Sequence, residues 1–413
     1  MTLAERQELQ KRLALLNQEQ QILALKLMAK LSALGISSTY SHFVEGPLVE
    51  TYYFTLSSST PLSKIMTKSE DVAYATGRES ALILRDGAYI GVQLSSINRK
   101  KVDFSASLFQ LSQELLGSRL PILLGQTHKG EYVYLDLADE PHALIAGSTG
   151  SGKSMFLLST ICTIAVAKRP EEVKLYIVDS KQVDLTICEG LPHVCKIARN
   201  ALELHDILDE LHNEMRRRNA LLSGIARNID EYNQITEKAS GTRRGYLPRI
   251  LLVIDEFADL LEEDYLQAKA KIEPFSSLSR LGERLRYLAQ LSRASGIHII
   301  AATQRPSVKI TSGDLKVNLP CRISFKLTSI HDSKTVLRES GAEFLLGQGD
   351  MLVQSVSRER MFRAHAPYVE LDTLGAILSN VEGVRDTLIR VAFAEAKSGK
   401  VLSASVLSGD GGE

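Results

Sequence analysis

Apolar and polar positions follow different periods along the chain, and these periods divide it into segments. In residues 3–34, leucines recur at alternating steps of four and three, as in Leu9, Leu13 and Leu16. This spacing predicts one amphipathic helix. We expect the helix to pack on its own domain, and a coiled coil with a neighbouring chain is the alternative.

Residues 40–120 show short apolar runs separated by turns. The run PLVETYYFTL (47–56) predicts a strand, and ALILRDGAYIGVQL (81–94) predicts a hairpin that turns at its Asp-Gly pair. Residues 105–118 then have the pattern of a helix. Together these elements predict a small α+β unit.

From residue 121 the pattern changes to fully apolar runs that alternate with helical stretches. The runs are HALIAG, VKLYIVDS, RILLVIDEF, IHIIAATQRP and RISFKLT. Apolar strands between helices are typical of a mostly parallel sheet that is covered on both faces. We therefore predict an α/β domain in this part of the chain.

Composition and charge exclude several classes of protein. The 413 residues include 49 basic and 49 acidic side chains, so the net charge is zero. Any DNA contact must therefore come from a local patch, not from a generally basic surface. No apolar run approaches the ~20 residues of a transmembrane helix, and the N-terminus lacks a signal-peptide core. The four cysteines lack the spacing of a zinc site. We expect a cytoplasmic protein without membrane insertion.

The segment GSTGSGKS matches the phosphate-binding pattern G-x-x-x-x-G-K-[ST], between a predicted strand and a predicted helix. Its residues are Gly147, Ser148, Thr149, Gly150, Ser151, Gly152, Lys153 and Ser154. The glycines let backbone N–H groups surround the phosphates of ATP, and Lys153 reaches the β- and γ-phosphates. Ser154 is a predicted ligand of Mg²⁺. A chance match in a flexible loop is the alternative.

Two further strands end in polar residues that would complete an ATPase site. RILLVIDEF leads into Asp255, a predicted Mg²⁺ ligand, and Glu256, which is predicted to polarise the attacking water. An ordinary acidic strand end is the alternative. IHIIAATQRP contains Gln304, which is predicted to sense the γ-phosphate or, alternatively, only to bond its own loop. The sequence thus predicts hydrolysis of ATP with Mg²⁺.

Longer stretches around these motifs resemble the FtsK/SpoIIIE family of DNA-translocating motors. They are IVDSKQVDLTICEGLPHV, LLVIDEFADLL, SRASGIHIIAATQRPS and SGAEFLLGQGDML, and the similarity extends over about residues 40–370. The resemblance implies an ATP-driven translocase of double-stranded DNA that acts as a hexameric ring of RecA-like P-loop ATPase domains. Two smaller features depart from the family. Ser180 stands where many members have proline, and the segment 262–289 is longer than usual.

The patterns and the resemblance together predict four parts of the chain. They are an N-terminal amphipathic helix (1–36), a small α+β domain (37–120), a RecA-like ATPase domain (121–385), and a C-terminal helix with a flexible tail (386–413). The family's membrane segments and winged-helix domain are not seen in the sequence. This predicts a stand-alone motor that serves a plasmid, phage, other mobile element or defence system.

The resemblance also implies further functional residues. Arg293 of SRASGIH matches the arginine that family members insert into the ATP site of the neighbouring subunit. Arg322 is the second candidate, and an ordinary surface arginine is the alternative for Arg293. The loops 238–246 and 305–318 are candidates for facing DNA in the pore of the ring, with solvated loops as the alternative. Their cations are Arg243, Arg244, Lys309 and Lys316.

Three other functions stay open at this point. The first is a HerA-like helicase motor that works with a nuclease, and the second is a protein-secretion or assembly ATPase on the same motor fold. The third is a regulatory switch that binds ATP and rarely hydrolyses it, which Glu256 disfavours. Additional protein partners are compatible with each of them.

Overall fold

Two β-sheets organise the chain. The computed structural model describes residues 3–56, 65, 67–241, 245–270, 280–306, 317–358 and 360–398. The strands are β1 (Ser38–Glu45), β2 (Val49–Leu56), β3 (Ala81–Asp86), β4 (Tyr89–Ser95), β5 (Pro121–Thr127), β6 (Tyr132–Asp136), β7 (His142–Ala146), β8 (Val173–Val178), β9 (Val194–Ala198), β10 (Arg249–Ile254), β11 (Ile297–Thr303), β12 (Cys321–Phe325), β13 (Asp350–Gln354) and β14 (Phe362–His365). The helices are α1 (Leu3–Leu13), α2 (Gln18–Ala33), α3 (Ser69–Thr76), α4 (Phe104–Gln110), α5 (Ser112–Gly117), α6 (Lys153–Ala167), α7 (Ala201–Leu222), α8 (Ile229–Ser240), α9 (Phe257–Ala270), α10 (Arg280–Leu291), α11 (Ile330–Leu337) and α12 (Leu371–Ser398).

The smaller sheet is antiparallel and has the strand order β1–β2–β4–β3. The predicted hairpin is confirmed, because β3 and β4 pair antiparallel with Asp86 opposite Tyr89 across the turn. Leu23 and Leu27 of α2 share a hydrophobic core with this sheet. The leucine stripe therefore packs within its own chain, as expected.

The N-terminal pattern forms two helices, and the prediction of a single helix over 3–34 is wrong. α1 ends at Leu13, and α2 begins after Asn17. The Asn17 side chain accepts a hydrogen bond from Gln20 N at 2.9 Å, and the Gln20 side chain accepts one from Asn17 N at 3.1 Å. This capping box starts a new helix within the leucine repeat. The predicted helix 105–118 is likewise divided, into α4 and α5.

The larger sheet has the strand order β6–β5–β14–β13–β12–β7–β11–β10–β8–β9. The strands from β12 to β9 in this order run parallel. β13, β14, β5 and β6 extend the sheet in antiparallel pairing. β7, β10 and β11 are buried along their whole length, as expected for strands with both faces covered. The predicted α/β class with a mostly parallel sheet is confirmed.

Helices cover both faces of the larger sheet. α6 and α12 contribute to the core on one face, and α7, α9 and α10 contribute to the core on the other. α12 begins at Leu371, earlier than the C-terminal helix predicted from residue 386, and it bends at Asn380. Arg385 of α12 donates to the carbonyl oxygens of Ala165 at 2.7 Å and Val166 at 3.2 Å. These bonds satisfy acceptors at the C-terminal end of α6. Within the described ranges, no helix combines the length and apolar character needed to cross a membrane.

A buried arginine of the larger sheet bonds to both sheets. Arg363 of β14 donates to both carboxylate oxygens of Asp350 at 2.8 and 2.6 Å, and to the Gln93 side chain of β4 at 3.1 Å. Leu82 and Leu84 of β3 also pack into the core of the larger sheet. The two sheets therefore share both apolar and polar contacts, and the boundary at residue 120 stays a prediction. The flexible tail predicted at the C-terminus lies outside the described residues.

Replacing Arg363 with methionine should destabilise the fold strongly. Arg363→Met leaves the buried Asp350 carboxylate without its cation, so we expect the free energy of unfolding to fall by about 3–5 kcal/mol. Urea denaturation measures this change. The control Arg12→Met breaks an exposed ion pair with Glu8 and should cost less than about 1 kcal/mol. Equal losses in the two variants would contradict the assigned role of the buried pair.

Candidate functional site

The phosphate-binding turn connects β7 to α6. Gly150 and Gly152 have φ angles of +75° and +103°, a region that favours glycine. A Cβ on Gly152 would lie 2.4 Å from the backbone nitrogen of Gly349, and a Cβ on Gly147 would lie 2.5 Å from Ser151 Oγ. Local packing therefore requires Gly147 and Gly152 at the positions where the sequence pattern has them.

Neighbouring strands hold this turn through backbone bonds. Gly147 N donates to Thr303 O at 3.1 Å, and both the N–H and the hydroxyl of Ser148 donate to Lys326 O at 2.9 Å. α6 then begins at Lys153, and the first N–H groups of a helix have no acceptor within it. A helix N-terminus that follows a glycine-rich turn is suited to bind phosphate.

A second buried ion pair links the turn to the end of β10. Lys153 Nζ donates to the backbone oxygen of Asp255 at 2.6 Å and to its Oδ1 at 2.7 Å. The two side chains are 3% and 1% exposed. Asp255 Oδ2 is buried and has no hydrogen-bond partner among the described residues. A carboxylate oxygen without a partner, beside a turn that also carries Ser154, suits Mg²⁺, which prefers oxygen ligands.

Glu256 lies next to this pair, and its carboxylate is held in a fixed orientation. Thr303 Oγ1 donates to Glu256 Oε1 at 2.7 Å, and Gln304 N donates to Glu256 Oε2 at 2.9 Å. Lys153 Nζ and Lys181 Nζ each lie 3.9 Å from Oε2. Burial raises the pKa of Glu256, although the Thr303 hydrogen bond and the Lys153 charge act in the opposite direction. A buried carboxylate with a raised pKa is typical of a general base.

Gln304 lies at the phosphate-binding turn, as the sensor hypothesis requires. Its side-chain oxygen accepts a hydrogen bond from Thr149 Oγ1 at 2.8 Å. Its backbone N–H is one of the donors that hold Glu256. One residue thus contacts both the phosphate-binding turn and the candidate base.

Arg293 lies far from these residues within its own chain. It is exposed and precedes β11, whose other end, at Thr303, contacts the site. A seven-residue strand places these ends about 20 Å apart. Arg322 is only 3% exposed and donates to Val336 O at 3.2 Å, and burial lowers its pKa. Of the two candidates, only Arg293 presents its charge at the surface.

The four DNA-binding candidates lie outside the described residues. They are Arg243, Arg244, Lys309 and Lys316. The longer segment 262–289 is described in part, as the ends of α9 and α10. There, His205 of α7 bonds to Asp264 at 2.8 Å and to Arg284 at 2.9 Å. This part of the segment therefore packs on α7.

The sequence motifs missed two residues that lie near the site, Asp179 and Lys181. Asp179 follows β8 and is fully buried. Its carboxylate accepts bonds from the backbone N–H groups of Gln182, Leu185 and Thr186 at 2.9–3.0 Å. These bonds fix the loop that carries Lys181 close to Glu256. The signal in the sequence was an acidic residue directly after an apolar strand, the same signal that identified Asp255.

The fold and the site first define a class: this is an α/β domain with the phosphate-binding turn and acidic strand end of the P-loop ATPases. Residues 112–308 match the model of the FtsK/SpoIIIE family. The chain is 33% identical over 366 residues to the DNA translocase SpoIIIE of Bacillus subtilis (strain 168), and 33% identical over 391 residues to the DNA translocase FtsK of Pasteurella multocida (strain Pm70). The chain therefore carries an FtsK/SpoIIIE family domain, and the resemblance seen in the sequence is confirmed.

The coverage of these matches is unequal. They cover 87% and 86% of this chain, but only 45% and 40% of the two relatives. The chain thus spans less than half the length of these curated relatives.

Solved structures share the fold. The pCW3 conjugation coupling protein TcpA, in its monomer form with ATPgS, has a TM-score of 0.56 at 21% identity, covering 89% of this chain and 99% of that one. The cytoplasmic domain of the type VII secretion ATPase EccC of Thermomonospora curvata has a TM-score of 0.53 at 26% identity, covering 64% of this chain and 31% of that one.

Replacing Glu256 with glutamine should change how stability depends on pH. Because the pKa of Glu256 is raised in the fold, its contribution to stability is largest at low pH and is lost as pH rises through the raised pKa. Glu256→Gln does not titrate, so its stability relative to wild type should increase from about pH 4 to pH 7. The increase should be about 1.4 kcal/mol for each tenfold by which folding strengthens proton binding to the carboxylate. Urea denaturation at several pH values measures this difference.

The control for this experiment is Glu262→Gln, at an exposed position on α9. Its stability difference from wild type should stay nearly constant over the same range. A difference for Glu256→Gln that stays constant, or that decreases with pH, would contradict the raised pKa.

Proposed function

We propose that this chain hydrolyses ATP and uses the energy to move along double-stranded DNA as part of a hexameric ring. The observation that carries the proposal is the position of Glu256, which Thr303 and Gln304 hold beside the buried pair of Lys153 and Asp255. A protein that only binds nucleotide has no need of such a carboxylate. The relatives named DNA translocases support DNA as the substrate.

Nucleotide binding requires Lys153 to change partners. Its ammonium group now bonds to Asp255 Oδ1, and in the complex it would turn to the β- and γ-phosphates. This exchange frees Oδ1 next to the already unpartnered Oδ2. Asp255 and the Ser154 hydroxyl would then hold Mg²⁺, which when bound neutralises charge on the phosphates.

Hydrolysis depends on Glu256 and Gln304. Glu256 would orient a water molecule and accept its proton, which its raised pKa favours. The side chain of Gln304 bonds to Thr149 in the free protein, so phosphate binding at the turn would displace it. Because the backbone N–H of Gln304 also bonds to Glu256, that displacement would be transmitted to the base.

Assembly into a ring would complete the site. Arg293 is exposed and precedes the end of β11 that is opposite the phosphate-binding turn, so an ATP site that it contacts would be that of a neighbouring copy. A head-to-tail ring places the opposite edges of neighbouring subunits together. Arg293 would then stabilise the charge of the transition state in trans.

The DNA contacts and the biological setting complete the proposal. Arg243, Arg244, Lys309 and Lys316 would contact phosphates in the pore of the ring without reading bases. The four parts 1–36, 37–120, 121–385 and 386–413 are proposed as its domains. Service of a plasmid, phage, other mobile element or defence system, and location in the cytoplasm, are part of the same proposal.

The alternative is a secretion ATPase. EccC is a type VII secretion ATPase, and its cytoplasmic domain is 26% identical to the aligned part of this chain. The DNA translocases align over more of the chain and at higher identity, so we favour DNA as the substrate.

Linear duplex DNA should raise the steady-state rate of ATP turnover several-fold. Glu256→Gln should bind ATP normally but hydrolyse it about 10²–10⁴-fold more slowly, as expected after loss of a general base. Lys153→Ala should bind ATP poorly, because the cation that meets the phosphates is lost. The assay measures phosphate release with and without DNA. Turnover that DNA does not change would favour the secretion alternative.

Mixing two inactive variants tests the role of Arg293. Arg293→Ala should bind ATP and assemble, yet turn over ATP about 10³-fold more slowly. The matched control is Arg227→Ala, at another exposed arginine, which should be near wild type. In mixed rings of Arg293→Ala and Glu256→Gln subunits, some interfaces pair an intact Glu256 with an intact Arg293. Those rings should recover hydrolysis, and no recovery in rings that native mass spectrometry shows to be mixed would contradict action in trans.

A further inference from the structure

The segment 292–296 joins α10 to β11 and carries Arg293. Ser292 Oγ donates to Ile297 O at 2.9 Å, and Ser295 Oγ donates to Ser292 O at 2.9 Å, both in the protein interior. These bonds close the segment into a turn, while the Arg293 side chain stays exposed. An exposed arginine is presented at one fixed place only if the backbone that carries it is held. The contacts of this turn therefore decide where Arg293 can act.

The start of α8 and the start of β10 hold one side of the turn. Ile229 N donates to Ala294 O at 3.0 Å, and Ile250 N donates to Gly296 O at 2.9 Å. Gly296 has a φ of +68°, and a Cβ at this position would lie 2.1 Å from Ile229 Cδ1. The close approach and the positive φ both require glycine here. On this side the turn is thus tightly packed.

The side chain of Arg218, on α7, holds the turn from the interior. Arg218 is 1% exposed, and arginine is rarely buried to this degree unless it is paired. Its Nη1 donates to Ser295 O at 2.9 Å and to Pro248 O at 2.7 Å. Pro248 directly precedes β10, and Ser295 lies just before β11, which pairs with β10. One guanidinium group therefore bonds to the chain ahead of each of two paired strands.

The charge of Arg218 is balanced by Glu214 on the same helix. Arg218 Nε donates to Glu214 Oε1 at 2.7 Å, and Arg217 also bonds to Glu214. The hydrogen bond from Arg217, and after it the one from Arg218, lowers the pKa of Glu214 to about 2, so the carboxylate is ionised at physiological pH. A buried ion pair is often no more stabilising than apolar side chains of similar volume. Stability alone therefore does not account for an arginine at this position.

We propose that Arg218 is a positioning residue for ATP hydrolysis, which fixes the turn 292–296 so that Arg293 meets the ATP site of the neighbouring copy. The inference rests on the proposed function in one respect, the action of Arg293 in trans. Arg218 acts through the backbone at Ser295 and does not itself contact the nucleotide. Without its bonds the turn shifts about the remaining contact at Ala294, and the Arg293 guanidinium moves relative to the phosphates that it stabilises.

Replacing Arg218 with methionine should lower DNA-stimulated ATP turnover about 10²-fold, the effect expected for a displacement of about 1 Å at a catalytic group. The affinity for ATP should not change. The matched control is Arg385→Met, because Arg385 is also buried and donates to two backbone oxygens, at the C-terminal end of α6. It should lose stability as well but keep its turnover. Phosphate release, ATP binding by calorimetry and urea denaturation measure these quantities. Wild-type turnover in folded Arg218→Met, or an equal loss of turnover in Arg385→Met, would overturn the proposal.

A double-variant cycle separates positioning from a general loss of structure. In an Arg293→Ala background, Arg218→Met should lower turnover by less than about twofold, because the group that it positions is already absent. A general structural defect would instead reduce turnover by the same factor in both backgrounds. That result would contradict the positioning role.

Mixed rings show on which side of the interface Arg218 acts. Arg218→Met mixed with Glu256→Gln should recover hydrolysis, because the Glu256→Gln subunits present a correctly held Arg293 to the intact Glu256 of their neighbours. Arg218→Met mixed with Arg293→Ala should not recover, since neither subunit presents Arg293 correctly. Recovery in the second mixture would refute the role of Arg218. So would no recovery in the first, when Arg293→Ala and Glu256→Gln do recover. If none of the three mixtures recovers, the action of Arg293 in trans is wrong, and this inference with it.

A second substitution keeps the test valid if Arg218→Met does not fold. Arg218→Lys keeps the positive charge but lacks the planar fork of donors. In all three experiments it should show the same pattern with a smaller loss of turnover. Wild-type turnover in this variant, with Arg218→Met unfolded, would assign Arg218 a role in stability alone.

Discussion

The burial of Lys153 between two carboxylates is the interaction on which the rest of the site depends. Its ammonium group lies 2.7 Å from Asp255 Oδ1 and 3.9 Å from Glu256 Oε2, and all three side chains are almost inaccessible. A charge with so little water around it must be paired. The pairing requires the ends of parallel strands to coincide, and the register provides this: Ile254 lies opposite Ala301, and Thr303 lies opposite Ala146. The geometry of the sheet and the chemistry of the site are therefore one constraint.

That constraint explains why the sequence revealed so much of the fold. Buried parallel strands are read as short apolar runs, and their polar residues must follow at the same edge of the sheet. This rule predicts Asp255, Glu256 and Gln304. In the structure Asp255 and Glu256 lie beside Lys153, and Gln304 bonds to Glu256 and Thr149. The phosphate-binding turn is also readable from a short stretch of sequence, because the positive φ angles of Gly150 and Gly152 favour glycine at fixed positions within it.

The features that the sequence did not reveal have two causes. Some depend on contacts between residues that are distant in the chain, and others on local hydrogen bonds that interrupt a longer apolar repeat. The leucine repeat continues past Asn17, but the capping bonds between Asn17 and Gln20 start a new helix there. Asp179 has its partners a few residues away, in a loop whose path no periodicity describes. The bonds from Arg363 to Asp350 and Gln93 join segments up to 270 positions apart. No window of sequence contains both ends of such a contact.

These long-range contacts also connect the nucleotide site to the smaller sheet. Gly349 bonds to Ser151 of the phosphate-binding turn, and the next residue, Asp350, is paired with Arg363. Arg363 in turn bonds to Gln93 of β4. Coupling between two sites requires a physical route with more than one arrangement, and the proposed exchange of Lys153 from Asp255 to phosphate would supply the change at one end. Because every contact on this route is buried and close-packed, a shift of the turn by a fraction of an ångström has to be accommodated by the neighbours of Gly349. The smaller sheet is therefore joined to the phosphate-binding turn by a continuous series of buried contacts.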